Sequence, residues 1–149
     1  MTRIHAYLNF NGNCEDAFRF YETVFKKPNI GIHRFGDIPE NPEFKMADAD
    51  KNKVMHTAIM INDNTMLMGS DCIEGFGHKA VEGTNTYIML DTSSAAEATE
   101  LYHALSKDAK IIEMPLGEQF FAEVYASFTD KFGIPWMIHF EGNKGQHNA

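Results

Sequence analysis

The stretch IHAYLNFNGNCEDAFRFYETVF, residues 4–25, decides the fold, because NTYIMLDTSSAAEATELYHALS, residues 85–106, repeats its pattern. In the first stretch Ile4, Ala6, Leu8 and Phe10 alternate with His5, Tyr7 and Asn9, the period of a half-buried strand. Asn13 then offers a helix-capping side chain, and Glu15 and Asp16 suit the positive end of a helix. Ala17, Phe20, Tyr21 and Val24 follow at helical spacing, and Pro28 closes the run. In the second stretch Thr86, Ile88 and Leu90 alternate with Asn85, Tyr87 and Met89. Ser94 with Glu97 forms a capping-box signature, and Ala98, Leu101, Tyr102 and Leu105 make the apolar stripe. Each stripe residue lies 81 residues after its counterpart, and Ile30 with Ile111 and Gly36 with Gly117 keep that offset. Repetition of this kind predicts two copies of one unit.

Each copy then adds three strands. The pattern predicts them over residues 30–35, 54–61 and 65–70, and again over 110–114, 124–129 and 135–141. Asn62-Asp63-Asn64 and Asp130-Lys131-Phe132-Gly133 are the turns within the last pairs. The offset falls to 69–70 here because the first copy carries an insertion, residues 37–53, which holds Pro39 and Pro42. It reads as an irregular loop, with a lid as one use for it. The expected fold class is α+β: two βαβββ modules forming a cupped, mostly antiparallel mixed sheet. They form a single domain over 1–149, with module one at about 1–71 and module two at about 84–141. Residues 72–84 join the modules, and the polar tail 142–149 is expected to be disordered.

Composition excludes several function classes. With 44% apolar and 23% charged residues, the 149-residue chain is that of a soluble globular protein. Thirteen basic against 21 acidic residues give a net charge of −8, with no basic stripe to displace counterions from nucleic acid. No apolar run approaches the ~20 residues of a membrane span. Arg3, Glu15, Asp16 and Arg19 argue against a signal peptide, so the expected location is cytoplasmic. Cys14 and Cys72 form neither a CxxC pair nor a disulfide framework. The sequence also leads to a homodimer. Half-sheets leave strand edges, and 12 phenylalanines with nine methionines exceed what two helix stripes can cover.

The strand faces turned away from the helices carry the candidate site. His5, Tyr7 and Asn9, and Asn85, Tyr87 and Met89, are polar and aromatic rather than aliphatic. They line either a cleft or plain solvent, and the tyrosines and methionine favour the cleft. On the last strand Trp136, Ile138 and Phe140 read as core, which leaves Met137 and His139 opposite; these match Met68 and Ser70 by the repeat. His56 lies within an almost uninterrupted apolar strand, where a core histidine is the plain alternative to a pocket residue. Cys14 by packing, and Asp71 by ending a strand, have ordinary structural explanations. There is no GxSxG elbow, P-loop or HExxH helix.

Several strings resemble one known family. They are Tyr7-Leu8-Asn9-Phe10 with Gly12-Asn13-Cys14-Glu15-Asp16-Ala17 and Phe20-Tyr21; His56; Leu67-Met68-Gly69-Ser70-Asp71; and Asp130-Lys131-Phe132-Gly133-Ile134-Pro135-Trp136-Met137-Ile138. Together with the duplication they resemble the PhnB-like branch of the vicinal oxygen chelate superfamily (glyoxalases, bleomycin-resistance proteins, extradiol dioxygenases). Phe121-Ala122 stands where that branch often shows Trp-Gly.

In metal-dependent relatives four ligands come from the first and last strands of the modules. The resemblance places them on His5, Met68, Asn85 and Met137. Only His5 suits Zn²⁺, Ni²⁺ or Mn²⁺, since thioethers and an amide do not. The expectation is therefore a small-molecule binding protein without the full metal site and without a cofactor. Its ligand would be lined by His5, Tyr7, His56, Met68, Tyr87, Met89, Met137 and His139. The alternative is a divalent-metal-dependent isomerase, lyase or dioxygenase anchored by His5, and a dimeric scaffold without ligand is a third reading. The branch sometimes carries a demethylubiquinone methyltransferase label. An S-adenosylmethionine enzyme would show a glycine-rich strand-to-helix turn, whereas the one GxG, Gly75-Phe76-Gly77, precedes no helix pattern.

Overall fold

A computed structural model describes residues 1–148, with side-chain environments through residue 145. The chain divides into two compact units, Met1–Val81 and Glu82–Ala149, and the boundary falls inside the joining loop 72–84. In the first unit β1 (Ala6–Phe10), α1 (Cys14–Phe25), β2 (Asn29–Arg34), β3 (Val54–Asn62) and β4 (Thr65–Asp71) give a sheet ordered β1-β4-β3-β2. In the second, β5 (Ile88–Asp91), α2 (Ala95–Leu105), β6 (Ile111–Gln119), β7 (Ala122–Thr129) and β8 (Pro135–Phe140) are ordered β5-β8-β7-β6. Both sheets have one parallel pair, β1 with β4 and β5 with β8, and are otherwise antiparallel. The α+β duplication is thus reproduced strand for strand, as two four-stranded sheets rather than one.

Strand register refines the repeat. Ala6 pairs with Leu67, and Ile88 with Trp136, at equivalent positions of the two sheets. The first strands are therefore offset by 82 residues while the helices keep 81. Three residues lie between Phe10 and α1 and only two between its counterpart, Thr92, and α2, which absorbs the difference. The counterpart of His5 is consequently Tyr87, that of Tyr7 is Met89, and that of Asn9 is Asp91.

In module one α1 buries Cys14, Ala17, Phe18, Tyr21 and Val24. Phe18 takes the core position that the spacing had assigned to Phe20, which is half-buried. The Phe18 ring meets Phe10 and Tyr21 edge-on, at 6.3 and 5.5 Å. Gly69 is the matching concavity on β4. A Cβ there would lie 2.5 Å from the Phe18 ring, so glycine is required by the helix–sheet approach. In module two Ala98 and Leu105 of α2 are buried, as are Phe128, Trp136 and Ile138 on β7 and β8, the strands the helix packs against.

Two aspartates fasten these units. Asp71 Oδ1 accepts from the backbone N–H of Gly12 (2.8 Å) and Cys14 (3.0 Å), and Oδ2 accepts from that of Val54 (2.9 Å). The expected Asn13 cap is therefore not made: Asn13 sits at φ −110°, ψ 22°, without a capping bond, and Asp71 takes the donors at the helix start. Asp130 Oδ1 accepts from Phe132 N (2.8 Å) and Ile134 N (3.0 Å), and Oδ2 accepts from Trp136 Nε1 (2.8 Å). The string Asp130-Lys131-Phe132-Gly133-Ile134-Pro135-Trp136 is thus held by a structural clasp.

Other boundaries shift for local reasons. Ile4 is 86% exposed and lies with His5 before β1, and Asn85 and Tyr87 lie before β5. Helix α1 ends at Lys26, whose left-handed backbone (φ 55°) turns the next N–H, of Lys27, back to Glu22 O at 3.3 Å, so Pro28 only follows the stop. Ser94 caps α2 through Glu97 N (3.1 Å), but the Glu97 carboxylate turns to Ser93 N (3.4 Å) rather than closing the box on Ser94. The insertion begins at the end of the 3₁₀ turn Phe35–Asp37 and carries an isolated antiparallel bridge between Asn41 and Phe44 and the 3₁₀ turn Asp48–Asp50. Gly142–Asn148 forms 3₁₀ turns, helped by Lys144 Nζ at 3.4 Å from Glu118 Oε2; Ala149 lies outside the described residues.

Candidate functional site

Register fixes which side chains share the face away from α1. Tyr7 pairs with Met68 and Met68 with Ala58, giving one row across β1, β4 and β3. Asn9 pairs with Ser70, and His33 with His56, giving the next row, since Thr57 opposite Gly69 sets His56 beside Ser70. The rows are tied together by Tyr7 Oη, 3.3 Å from His56 Nδ1, with the rings 5.7 Å apart. His56 is half-buried on this face and is not a core histidine. Of the eight residues named from sequence, the first unit thus places Tyr7, His56 and Met68 together, with His5 at the strand entry.

The second unit holds the other four. Met89, Met137 and Ser127 form one row, and Asp91, His139 and Tyr125 the next. His139 is better defined than its sequence suggested. Its Nδ1 lies 2.9 Å from Asp91 Oδ1, and Phe121 stacks on the imidazole at 6.5 Å and 11°. A carboxylate acceptor makes Nδ1 the donor, which leaves Nε2 to meet a bound molecule. Tyr87 donates its hydroxyl to the Glu113 carboxylate. That hydrogen bond, with burial and the Glu113 charge, pushes the phenol pKa up.

The metal positions fail on donor chemistry. His5 Nδ1 accepts from Met66 N–H at 2.9 Å. That hydrogen bond engages the Nδ1 lone pair, which is then not free for an ion. The register moves the third position from Asn85 to Tyr87, whose hydroxyl is committed to Glu113. Met68 and Met137 supply thioethers, which do not suit a hard divalent ion. Among the described residues no three His, Cys, Asp or Glu side chains cluster so as to hold one. This donor set, as it stands, does not fit a divalent metal.

Sequence reasoning missed a depression of about 220 Å³ at the end of the first face, lined by Asn9, Phe35, Met55, Ser70, Phe76 and His78, with Asp71 and Cys72 at its base. Only the Asn9–Ser70 pairing was implicit in the strand pattern; Phe35 and Phe76 come from loops whose folding the pattern does not encode. Cys14 is no part of it. The thiol is fully buried, and burial first, then the Asp71 and Glu15 charges, push its pKa up.

Comparison with known proteins bears on this arrangement. The chain is 35% identical to PA1353 of Pseudomonas aeruginosa, covering 95% of this chain and 98% of that one, with a TM-score of 0.80. It is 28% identical to protein YjdN of Escherichia coli K12, over 91% of this chain and 93% of that protein. A PhnB protein from Bacillus cereus is 25% identical over 93% of this chain and 99% of its own, with a TM-score of 0.65. The two-module fold is that of glyoxalase/bleomycin-resistance proteins. Residues 2–139 match the family described as 3-demethylubiquinone-9 3-methyltransferase, and with this fold the chain belongs to that family, the PhnB-like branch of the vicinal oxygen chelate superfamily.

Proposed function

We propose that the protein binds a small molecule on the open sheet faces, without a divalent metal, and works as a homodimer. The observation that carries the reading is the row Asn9–Ser70–His56, which sets polar side chains beside an open depression while His5 Nδ1 is engaged by the Met66 N–H. His139, oriented by Asp91, supports a second polar contact in module two. A methyl transfer from S-adenosylmethionine has no support in this fold: Gly75-Phe76-Gly77 is followed by β5 without an intervening helix. Support for a second copy comes from β6, an edge strand on which Ile111, Ile112 and Met114 are 54, 43 and 37% exposed.

The test joins two measurements. After a chelator wash and reloading with Zn²⁺, Ni²⁺ or Mn²⁺, elemental analysis is expected to find far less than one ion per chain. A thermal-shift panel is expected to return a compound that stabilises wild type but not His56→Ala; saturation at a hundred times Kd is worth about 2.7 kcal/mol. One tightly held ion per chain, lost in His5→Ala, would overturn the reading in favour of the metal-dependent isomerase, lyase or dioxygenase.

A further inference from the structure

We propose that the depression at the end of the first sheet seats an uncharged, single-ring aromatic molecule with an amide or hydroxyl head group. This deepens the small-molecule reading above and rests on it.

The size is right for one ring. An apolar cavity of about 150 Å³ is enough to hold benzene, so about 220 Å³ accommodates a ring with a short substituent. The wall is aromatic and is built at a conformational cost. Phe76 sits against Phe35 and Phe44, with ring centroids 5.5 and 4.9 Å apart. Gly75 (φ 91°) carries the chain into this position, and a Cβ there would overlap the Phe44 ring. The strap of residues 72–80 is then clamped at its far end by one side chain. Asn11 Nδ2 donates to Ala80 O (2.8 Å), and Ala80 N donates to Asn11 Oδ1 (3.0 Å). Yet Phe76 remains 41% exposed. A segment that needs a left-handed glycine and a two-point clamp, only to leave its aromatic ring half in solvent, makes a poor core and a good wall.

The floor sets the chemistry of the head group. Asn9 and Ser70 face each other in register, and neither side chain makes a hydrogen bond among the described residues. An amide and a hydroxyl both donate and accept, so they match a neutral head group of mixed character. Asp71 beneath them is an acceptor through both oxygens, each already engaged by backbone N–H groups. Its negative charge, in a chain of net charge −8, opposes an anionic head.

The experiment uses benzamide as probe and benzoate, the same ring with a carboxylate, as control, titrated into ¹⁵N-labelled full-length protein. Benzamide is expected to shift the backbone signals of Asn9, Ser70, Cys72 and Phe76 saturably, with Kd on the order of 1 mM for so few atoms. Benzoate should bind at least about tenfold more weakly. Ser70→Ala should weaken benzamide several-fold, and Phe76→Leu, which keeps the wall apolar, about tenfold. Unchanged thermal midpoints will show that both variants are folded. Equal binding of benzoate, shifts confined to module two, or no saturable shift would overturn the proposal. So would the same residues shifting on protein dilution alone, because a second copy would then fill the depression. A stabilising compound from the panel that maps elsewhere would sink this site and leave the small-molecule reading standing.

Discussion

Trp136 donates its indole N–H to Asp130 Oδ2 at 2.8 Å, and the two residues are 1% and 0% exposed. The other Asp130 oxygen holds the N–H groups of Phe132 and Ile134, so one carboxylate organises the turn between β7 and β8 and anchors the largest core side chain. Asp130→Ala leaves three donors without this acceptor and is expected to cost about 3–5 kcal/mol. Asp130→Asn keeps the size and one acceptor, so it should cost less. Urea unfolding followed by emission of Trp136, the only tryptophan, measures both; an alanine variant as stable as wild type would refute the clasp.

The two cysteines should behave differently. Cys14 is fully buried, with its thiol pKa pushed up by burial and the neighbouring carboxylates, whereas Cys72 is half-buried at the depression. An aromatic disulfide reagent at pH 8 is expected to titrate one thiol per native chain and two in denaturant. Fast modification of Cys14 in the native protein would contradict the burial.

Glu15 gives a pH signature. Arg34 places its guanidinium 2.9 and 3.1 Å from the two carboxylate oxygens, and this hydrogen bonding holds the Glu15 pKa below the ordinary carboxylate range. A lowered carboxylate pKa stabilises the fold above the unfolded-state value, and that contribution is lost as pH falls through the folded-state value. Both side chains are about a third exposed, so solvent screening limits the effect to below about 1 kcal/mol. The stability difference between wild type and Glu15→Gln should be full at pH 7 and vanish in acid. A difference that grows on acidification would reverse the assignment.

The dimer is tested by sedimentation equilibrium at micromolar concentration. A species of twice 16.9 kDa is expected, with an interface of more than about 1,000 Å². Ile112→Lys, on the exposed edge strand, should shift the equilibrium toward monomer. A clean 16.9 kDa species without concentration dependence would remove the second copy from the proposal.

What could be read from the sequence was whatever repeats or alternates. The pairs Ala17/Ala98 and Tyr21/Tyr102 exposed the duplication, and the parity of β1 set Leu8 and Phe10 into the core with Tyr7 opposite. What could not be read depends on partners distant in sequence. Asn13 has the right chemistry for a cap, yet Asp71 takes the donors because the sheet brings β4 under the helix start. Phe18 is core because Gly69 leaves room for it, and periodicity alone cannot choose it over Phe20. The site shows the same division. Tyr7, His56 and Met68 share a face as strand parity requires, but it is a backbone N–H of β4 that engages Nδ1 of His5. Phe76 reaches the depression through glycine-dependent loop geometry.

The two aspartate clasps close loops of very different length. Asp130 joins residues two to six positions away, whereas Asp71 reaches back 57 and 59 residues to Cys14 and Gly12. Closing the longer loops costs more chain entropy before any contact rewards it, so the halves of this duplicated chain should not form in step. The β7–β8 turn is expected to belong to the early nucleus, with helix α1 locked only when β4 arrives. Mutation at Asp130 should therefore slow folding, while mutation at Asp71 should chiefly speed unfolding, a division that φ-values for the two positions would read directly. Copies that began as equals would then have been assigned an order in time by the placement of a single carboxylate in each.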